Sequence, residues 1–304
     1  MRMVLVAVLV IGAMLSSGCV ESSPTSPFYH YDGWQVEKVA TVEGLAVPEC
    51  AAVVGETGDV LISNIDAPAE GADDRYNTDD GKGFITRLDT GGKLVAGRWV
   101  DSQINAPLNS IKGVCVLKGV VYACDVNHVR RMSIETGQAL EPIIIHGAKF
   151  LNDAATDGKY VYVSDTTTNK IHRLDGDKIT DIPGPPSANG IAFSGGKMFV
   201  NSWEAHEIYE VDLDGIIPPK PFGLADHFGG LDGMDILSDG TFIVSDLKNN
   251  KIVLIGADRK RLRTLLEIKG GPADFGIDHA RGLLYIPLIW DNALAIYKLT
   301  NSRK

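Results

Sequence analysis

The chain carries no excess of positive charge. Against 39 Asp and Glu stand 29 Lys and Arg, a net charge of −10 at neutral pH. The electrostatic footprint of a nucleic-acid-binding protein is therefore missing, and no nucleic-acid partner is expected. The densest basic run, Arg259-Lys260-Arg261-Leu262-Arg263, sits at a turn before a strand-like segment and reads as solvated surface. Histidine is also sparse. Seven are scattered without the spacing that a metal site needs, and only His227 stands where it could approach a functional surface. No Gly-x-Ser-x-Gly elbow is present, and Ser194-Gly195-Gly196-Lys197 has the composition of a hairpin turn rather than a Ser–Lys dyad. Segments 139–145 and 262–268 compete as helices but are short enough to be outer strands, and no long helical pattern appears.

Cysteine is scarce as well, with four in 304 residues. Cys19 belongs to a targeting segment. Met1-Arg2-Met3 supplies a positive start, residues 4–15 are apolar apart from one Gly, and Ser16-Ser17-Gly18 precede the cysteine. That order is expected of a lipoprotein signal peptide (1–18), cleaved before a lipidated Cys19, and the apolar run is too short to span a bilayer comfortably. Residues 19–33, rich in Ser and Pro at their start, read as a flexible tether. The expected location is the bacterial cell envelope. The non-acidic Val20 leaves the outer membrane open in a Gram-negative cell. Of the remaining cysteines, Cys115 and Cys124 lie on adjacent predicted strands. An oxidising compartment would permit a bridge, and buried reduced thiols are the plainer reading.

What is present is a repeat. Six short segments open with Glu49, Lys112, Asn152, Asn189, Asp232 and Ala273, roughly 40 residues apart except for a longer first gap. Each continues as an apolar run, a turn, a second apolar run closing near Asp or Asn, and a third strand-like run. The fifth copy reads Asp232-Gly233-Met234-Asp235-Ile236, then the Ser238-Asp239-Gly240 turn, then Thr241-Phe242-Ile243-Val244-Ser245-Asp246. Period-two alternation between Gly-containing turns means antiparallel hairpins, and this period means propeller blades. The fold expected over 34–304 is all-β, a six-bladed β-propeller. The last copy yields three strands and a run at 34–40 precedes the first, so the N-terminal strand is expected to complete the last blade and close the ring. The recurring Asn64, Asp125, Asp165, Asn201 and Asp246 read as turn hydrogen-bonding devices. An acidic insertion at 66–82 accounts for the long first gap and stays open between a solvated loop, a lid and a second calcium site.

In a propeller the innermost strands line a central channel, so lead residues distant in sequence converge there. Glu49, Asn189 and Asp232 would offer two carboxylates and an amide oxygen, hard donors suited to a divalent cation: Ca²⁺ foremost, with Mn²⁺, Mg²⁺ or Zn²⁺ as alternatives. Lys112 either binds a carboxylate or oxyanion or balances Glu49. Asp274, beside Ala273, is a further candidate channel carboxylate.

Four blade-start segments, Pro48-Glu49, Leu151-Asn152-Asp153, Ala188-Asn189-Gly190 and Leu231-Asp232-Gly233-Met234, give the chain a resemblance to the senescence-marker-protein/gluconolactonase (regucalcin-like) family of six-bladed propellers. The resemblance implies that Glu49, Asn189 and Asp232 ligate a divalent metal and that Asn152 faces metal and substrate. It departs from the family pattern at Cys50-Ala51, where Gly-Pro is common, and at Ala154, where Gly is common. The implied activity is lactonase-like hydrolysis of a small sugar lactone or ester. Asp232, or Asp153 nearby, would be the general base, and Asn152 and Lys112 would orient the substrate. The competing expectation is a non-enzymatic propeller that binds a ligand or envelope protein at its rim, since the fold serves both.

Overall fold

The computed structural model describes residues 33–67, 75–102 and 107–302. The expected signal peptide, the lipidation site Cys19 and nearly all of the tether lie outside them. Six sheets of four antiparallel strands form the ring, the six-bladed β-propeller expected. The inner strands are Pro48–Val53, Ile111–Leu117, Leu151–Thr156, Ala188–Ser194, Leu231–Ile236 and Gly276–Asp278. Among the described residues the only helix is one 3₁₀ turn, Ala225–His227. His227 lies in that turn, where its carbonyl accepts a hydrogen bond from Lys251 Nζ.

The third blade shows why the local sequence chooses strands. Leu151–Thr156, Val161–Asp165, Lys170–Asp175 and Lys178–Pro183 pair in sequence order. The middle strand is buried along its whole length because a neighbouring blade covers each face, which explains the Val161-Tyr162-Val163 run that opens it. The outer strand is exposed or half-buried except at Ile182, as a strand at the solvated edge should be. The intervening turn uses Gly158 at φ +86°, while Asp157 Oδ1 accepts from the amides of Lys159 and Tyr160. The segments with helical competitors are outer strands, Ala139–Ile144 and Leu262–Glu267.

There is no single core. One apolar cluster fills each of the six interfaces between adjacent blades, for example Val60, Ile62 and Leu88 of the first blade against Tyr285, Leu294 and Ile296 of the last. A small seventh cluster (Leu247, Ala273 and Ile289, with Tyr76 and Trp203 against it) lies on the face where the inner strands begin. Cys50, Cys115 and Cys124 are buried and free, so no bridge joins the second blade's pair.

Closure is as expected. Trp34–Glu43 is the outer strand of the sixth blade, paired with Ala293–Asn301 from Trp34↔Asn301 to Glu43↔Ala293. Trp34 also locks this blade to the fifth: its indole Nε1 donates to Asp239 Oδ2 at 2.8 Å, and its carbonyl accepts from Arg263. Because Trp34 is only 9% exposed and packs in the interface cluster, Trp34→Ala is expected to cost about 3 kcal/mol. Urea unfolding followed by circular dichroism checks this. A midpoint unchanged from the parent protein would mean that the first strand does not hold the ring.

Candidate active site at the channel mouth

The lead residues reach the axis through a repeated fault in the sheet. In each of the first five blades the register between inner and middle strand slips at the lead residue, as at Pro48↔Asn64 followed by Ala51↔Ile62. Two residues there oppose one, a β-bulge that re-aims side chains and frees backbone amides. The sixth blade shows the same slip between the Pro272↔Leu288 bridge and Gly276↔Tyr285.

Side chains at the end of the middle strand take up the freed amides. Ser63, Ser164 and Ser245 accept from Cys50, Asp153 and Gly233, each one residue after a lead. Asp125, Asp165 and Asp246 accept from the two residues preceding the lead pair: Asn109 and Ser110, Lys149 and Phe150, Gly229 and Gly230. Asn64 does this for Ala46, and Asn201 accepts from Gly190 while donating to the Asp232 carbonyl. The hydrogen-bonding role read from the sequence holds, and it braces the site itself. The glycines after Lys112, Asn189 and Asp232 have a different function from turn glycines. A Cβ on Gly113 would lie 2.4 Å from Asp153 Cα, and one on Gly190 would lie 2.3 Å from the Asp232 carbonyl oxygen. They let neighbouring bulges touch.

Glu49, Lys112, Asn152, Asn189 and Asp232 line one cavity of about 440 Å³ at the channel mouth. Asp153 does not line it: its carboxylate turns inward to accept from the Ile191 amide at 2.6 Å. Ala273 is buried in the apolar cluster, and Asp274 lies deeper, its backbone tied to Glu49 and Ala51. Lys112 is 1% exposed. Its Nζ donates to Ser110 O (3.0 Å), Tyr76 O (3.3 Å) and Asn77 Oδ1 (3.4 Å) and stands 4.6 Å from the Phe150 ring centroid. All three ammonium hydrogens therefore face protein acceptors, leaving its charge opposite Glu49. The described end of the acidic insertion rests on the second and third blades: Thr78 N bonds Ser110 Oγ, Gly81 N bonds Asn109 Oδ1, and Asn77 Nδ2 bonds Lys149 O. It brings Tyr76 into the cavity wall.

Sequence reasoning missed most of that wall. Ile65, Thr166, Trp203, Leu247, Lys248, Ile289 and Trp290 line the cavity from the loops that follow the middle strands. They stand one or two places after the strand ends at Asn64, Asp165, Ser202, Asp246 and Leu288, and that offset was the available signal.

Electrostatically the channel is overloaded with acid. Burial pushes the Glu49 carboxyl well above its ordinary range, and the charges of Asp232 and Asp274 add to the effect while Lys112 opposes it. Asp232 is pushed up to about 7 by burial against the Asn189 hydrogen bond, and Asp153 up to about 6 by burial. Asp274 is raised by burial and by Asp153. One buried ammonium cannot offset four buried carboxyls.

The residues fit a hard divalent cation. Glu49 Oε2 is buried without a hydrogen-bond partner, the mark of an acceptor awaiting one. Asn189 commits Nδ2 to Asp232 Oδ1 (2.8 Å) and Leu231 O (3.2 Å), leaving Oδ1 as its donor atom. The set is all oxygen, which suits Ca²⁺, Mg²⁺ or Mn²⁺ better than zinc. Among the described residues no three His, Cys, Asp or Glu side chains form a ligand cluster, and the set joins two carboxylates to the Asn189 amide.

The chain is thus a six-bladed propeller with an acidic, cation-suited cavity at its channel mouth. No family model matches it, and no curated protein matches it by sequence. Among solved structures it is similar to a gluconolactonase from Xanthomonas campestris, at 17% identity, over 85% of this chain and 88% of that one, with a TM-score of 0.65. It is also similar to a luciferin-regenerating enzyme (15% identity, 88% and 95% covered, TM-score 0.62) and to a virginiamycin B lyase from Staphylococcus aureus (14%, 88% and 99%, 0.59). At these identities the likeness is one of fold. The resemblance expected from the blade-start motifs is present in three dimensions.

The raised carboxyls make a signed prediction. In the native state they hold protons that the unfolded chain releases near pH 4, so their ionisation removes stability as pH rises toward about 7. A dication cancels that repulsion. Added Ca²⁺ is expected to raise the melting temperature more at pH 8 than at pH 5, and EDTA should abolish the difference. Scanning fluorimetry that finds equal or no increments would count against the cation site.

Proposed function

We propose that this protein is a divalent-metal-dependent hydrolase of a small lactone or ester, acting at the channel mouth. The observation that carries the reading is the meeting of Glu49, Asn189 and Asp232, from three blades, in one cavity where Glu49 Oε2 lacks a partner. Those three residues would hold the cation, which when bound polarises an acyl carbonyl and stabilises the oxyanion. The fold neighbours include a protein whose description names it a gluconolactonase, which agrees with the reading.

The chain's own groups divide the remaining work. Asp232 has Oδ1 engaged by Asn189, so Oδ2 is the oxygen that would take a proton from attacking water. Asp153 is the poorer base because its carboxylate faces the Ile191 amide outside the cavity. Asn152 is steadied by its Nδ2 bond to Thr166 Oγ1 (3.1 Å) and orients the substrate. Lys112 supplies positive charge near Glu49 and fixes the Tyr76–Asn77 segment, with no hydrogen left for a substrate. The sequence also supports export and lipidation at Cys19, which would place this activity in the cell envelope.

A panel of lactones and esters, assayed with Ca²⁺ or Mn²⁺ and again with EDTA, tests the reading. Metal-dependent turnover is expected. Asp232→Asn should lower kcat by at least 10²-fold, the scale of a lost general base, with an unchanged circular dichroism spectrum. Metal-loaded protein that turns over no lactone or ester would leave a binding propeller as the better description.

A further inference from the structure

The cavity is sorted by polarity with depth. Its floor holds five of the six predicted lead residues, while the wall and rim are mostly aromatic and aliphatic, from Tyr76, Phe150, Trp203, Leu247, Ile289 and Trp290, with Ser187, Glu204 and Lys248 as polar members. The two indoles are seated by design of the backbone. A Cβ on Gly230 would stand 3.1 Å from Trp203 Cζ3 and 3.0 Å from Lys248 Cγ and Cδ, and one on Gly271 would stand 2.7 Å from Trp290 Cδ2. Lys248 Nζ stacks 4.6 Å from the Trp203 ring centroid, so the cation covers an aromatic face instead of reaching down to the floor. Trp290 is half exposed at the rim. An indole left half in water, facing a concave apolar wall, is characteristic of a ligand-binding surface.

Two of the cavity's polar groups are already committed, and Ser187, Glu204 and Lys248 are the polar side chains that remain on the wall. Thr166 Oγ1 donates to Ala188 O at 2.7 Å and accepts from Asn152, and the Lys112 hydrogens are all taken. A polyhydroxylated ring placed against Phe150, Leu247 and Ile289 would lose its hydrogen bonds to water there and find no replacements from those side chains. Each buried unsatisfied hydroxyl counts against binding. A ligand with a single polar carbonyl end and a hydrocarbon body meets no such penalty: its carbonyl sits on the floor and its body against the aromatic wall.

We infer that the substrate is an apolar lactone or ester, bearing an aryl or alkyl body, and not a sugar lactone. This rests on the hydrolase reading for its chemistry, but the apolar wall is a separate observation. Ester cleavage here consumes water only, adding OH to the acyl carbon and a proton to the leaving alkoxide, so no further co-reactant is needed.

The test uses the full chain loaded with Ca²⁺ and three probes: γ-phenylbutyrolactone, gluconolactone and the non-hydrolysable γ-lactam of the phenyl compound. The phenyl lactone is expected to exceed gluconolactone in kcat/KM by at least tenfold. Trp290→Ser should raise KM for the phenyl lactone about fivefold or more with kcat retained. By calorimetry it should weaken lactam binding by a similar factor, and Trp290→Phe should restore both. Because Trp290 is a rim residue, an unchanged melting temperature verifies that the variant folds. Preference for gluconolactone, or lactam binding indifferent to Trp290→Ser, would overturn the inference while leaving a hydrolase in place. Lactam binding that depends on Trp290, with neither lactone turned over, would support the apolar site and remove the hydrolase reading instead.

Discussion

The site depends on one arrangement: hydrogen bonds from the end of each middle strand to the bulged start of the inner strand beside it. A bulge that turns Glu49 or Asp232 toward the axis strands backbone amides away from the ladder, and a buried unpaired amide is costly. Ser63, Ser164 and Ser245 take one such amide each, and Asp125, Asp165 and Asp246 take those just before. Carboxylate acceptors strengthen these bonds and stiffen the turn that delivers the lead residue. The functional side chains are therefore held from behind by strands that never touch a ligand.

The same ring creates a conflict and resolves it in layers. Bringing blade starts together gathers Glu49, Asp153, Asp232 and Asp274 where burial opposes ionisation. Structure alone answers only part of this, through the Lys112 charge, the Asn189 donor and the Ile191 amide. Glu49 Oε2, buried without a partner, sets the channel mouth apart from a simply packed axis. Above it the chain changes character. Aromatic and aliphatic residues form most of the wall, with Ser187, Glu204 and Lys248 as polar members.

Much of this was legible in the sequence because repetition converts weak signals into strong ones. Asn-Gly or Asp-Gly alone marks an ordinary turn, but four such segments in blade register located Glu49, Asn152, Asn189 and Asp232 in one cavity. The closing strand was legible from a missing partner in the last copy. Direction was not. A bulge sends adjacent residues to different places, so Asn152 faces the cavity while Asp153 faces Ile191, and no residue-type pattern distinguishes them. Lys112 was left open between two roles because its acceptors, Tyr76 and Asn77, come from a distant insertion. The wall escaped notice because its members share a position, just past the middle strand, and not a residue type: Ile65, Thr166, Trp203, Lys248 and Trp290 have no common chemistry.

The pairing of Trp34–Glu43 with Ala293–Asn301 sets the order in which the molecule can be completed. A ribosome releases Trp34–Glu43 before the five blades that separate it from Ala293–Asn301, so the first strand emerges with nothing to pair with while those blades are made. The interface clusters can form one after another as each blade appears, yet the ring has no seam only when Ala293–Asn301 arrives. Closure of the ring is therefore a late event in folding.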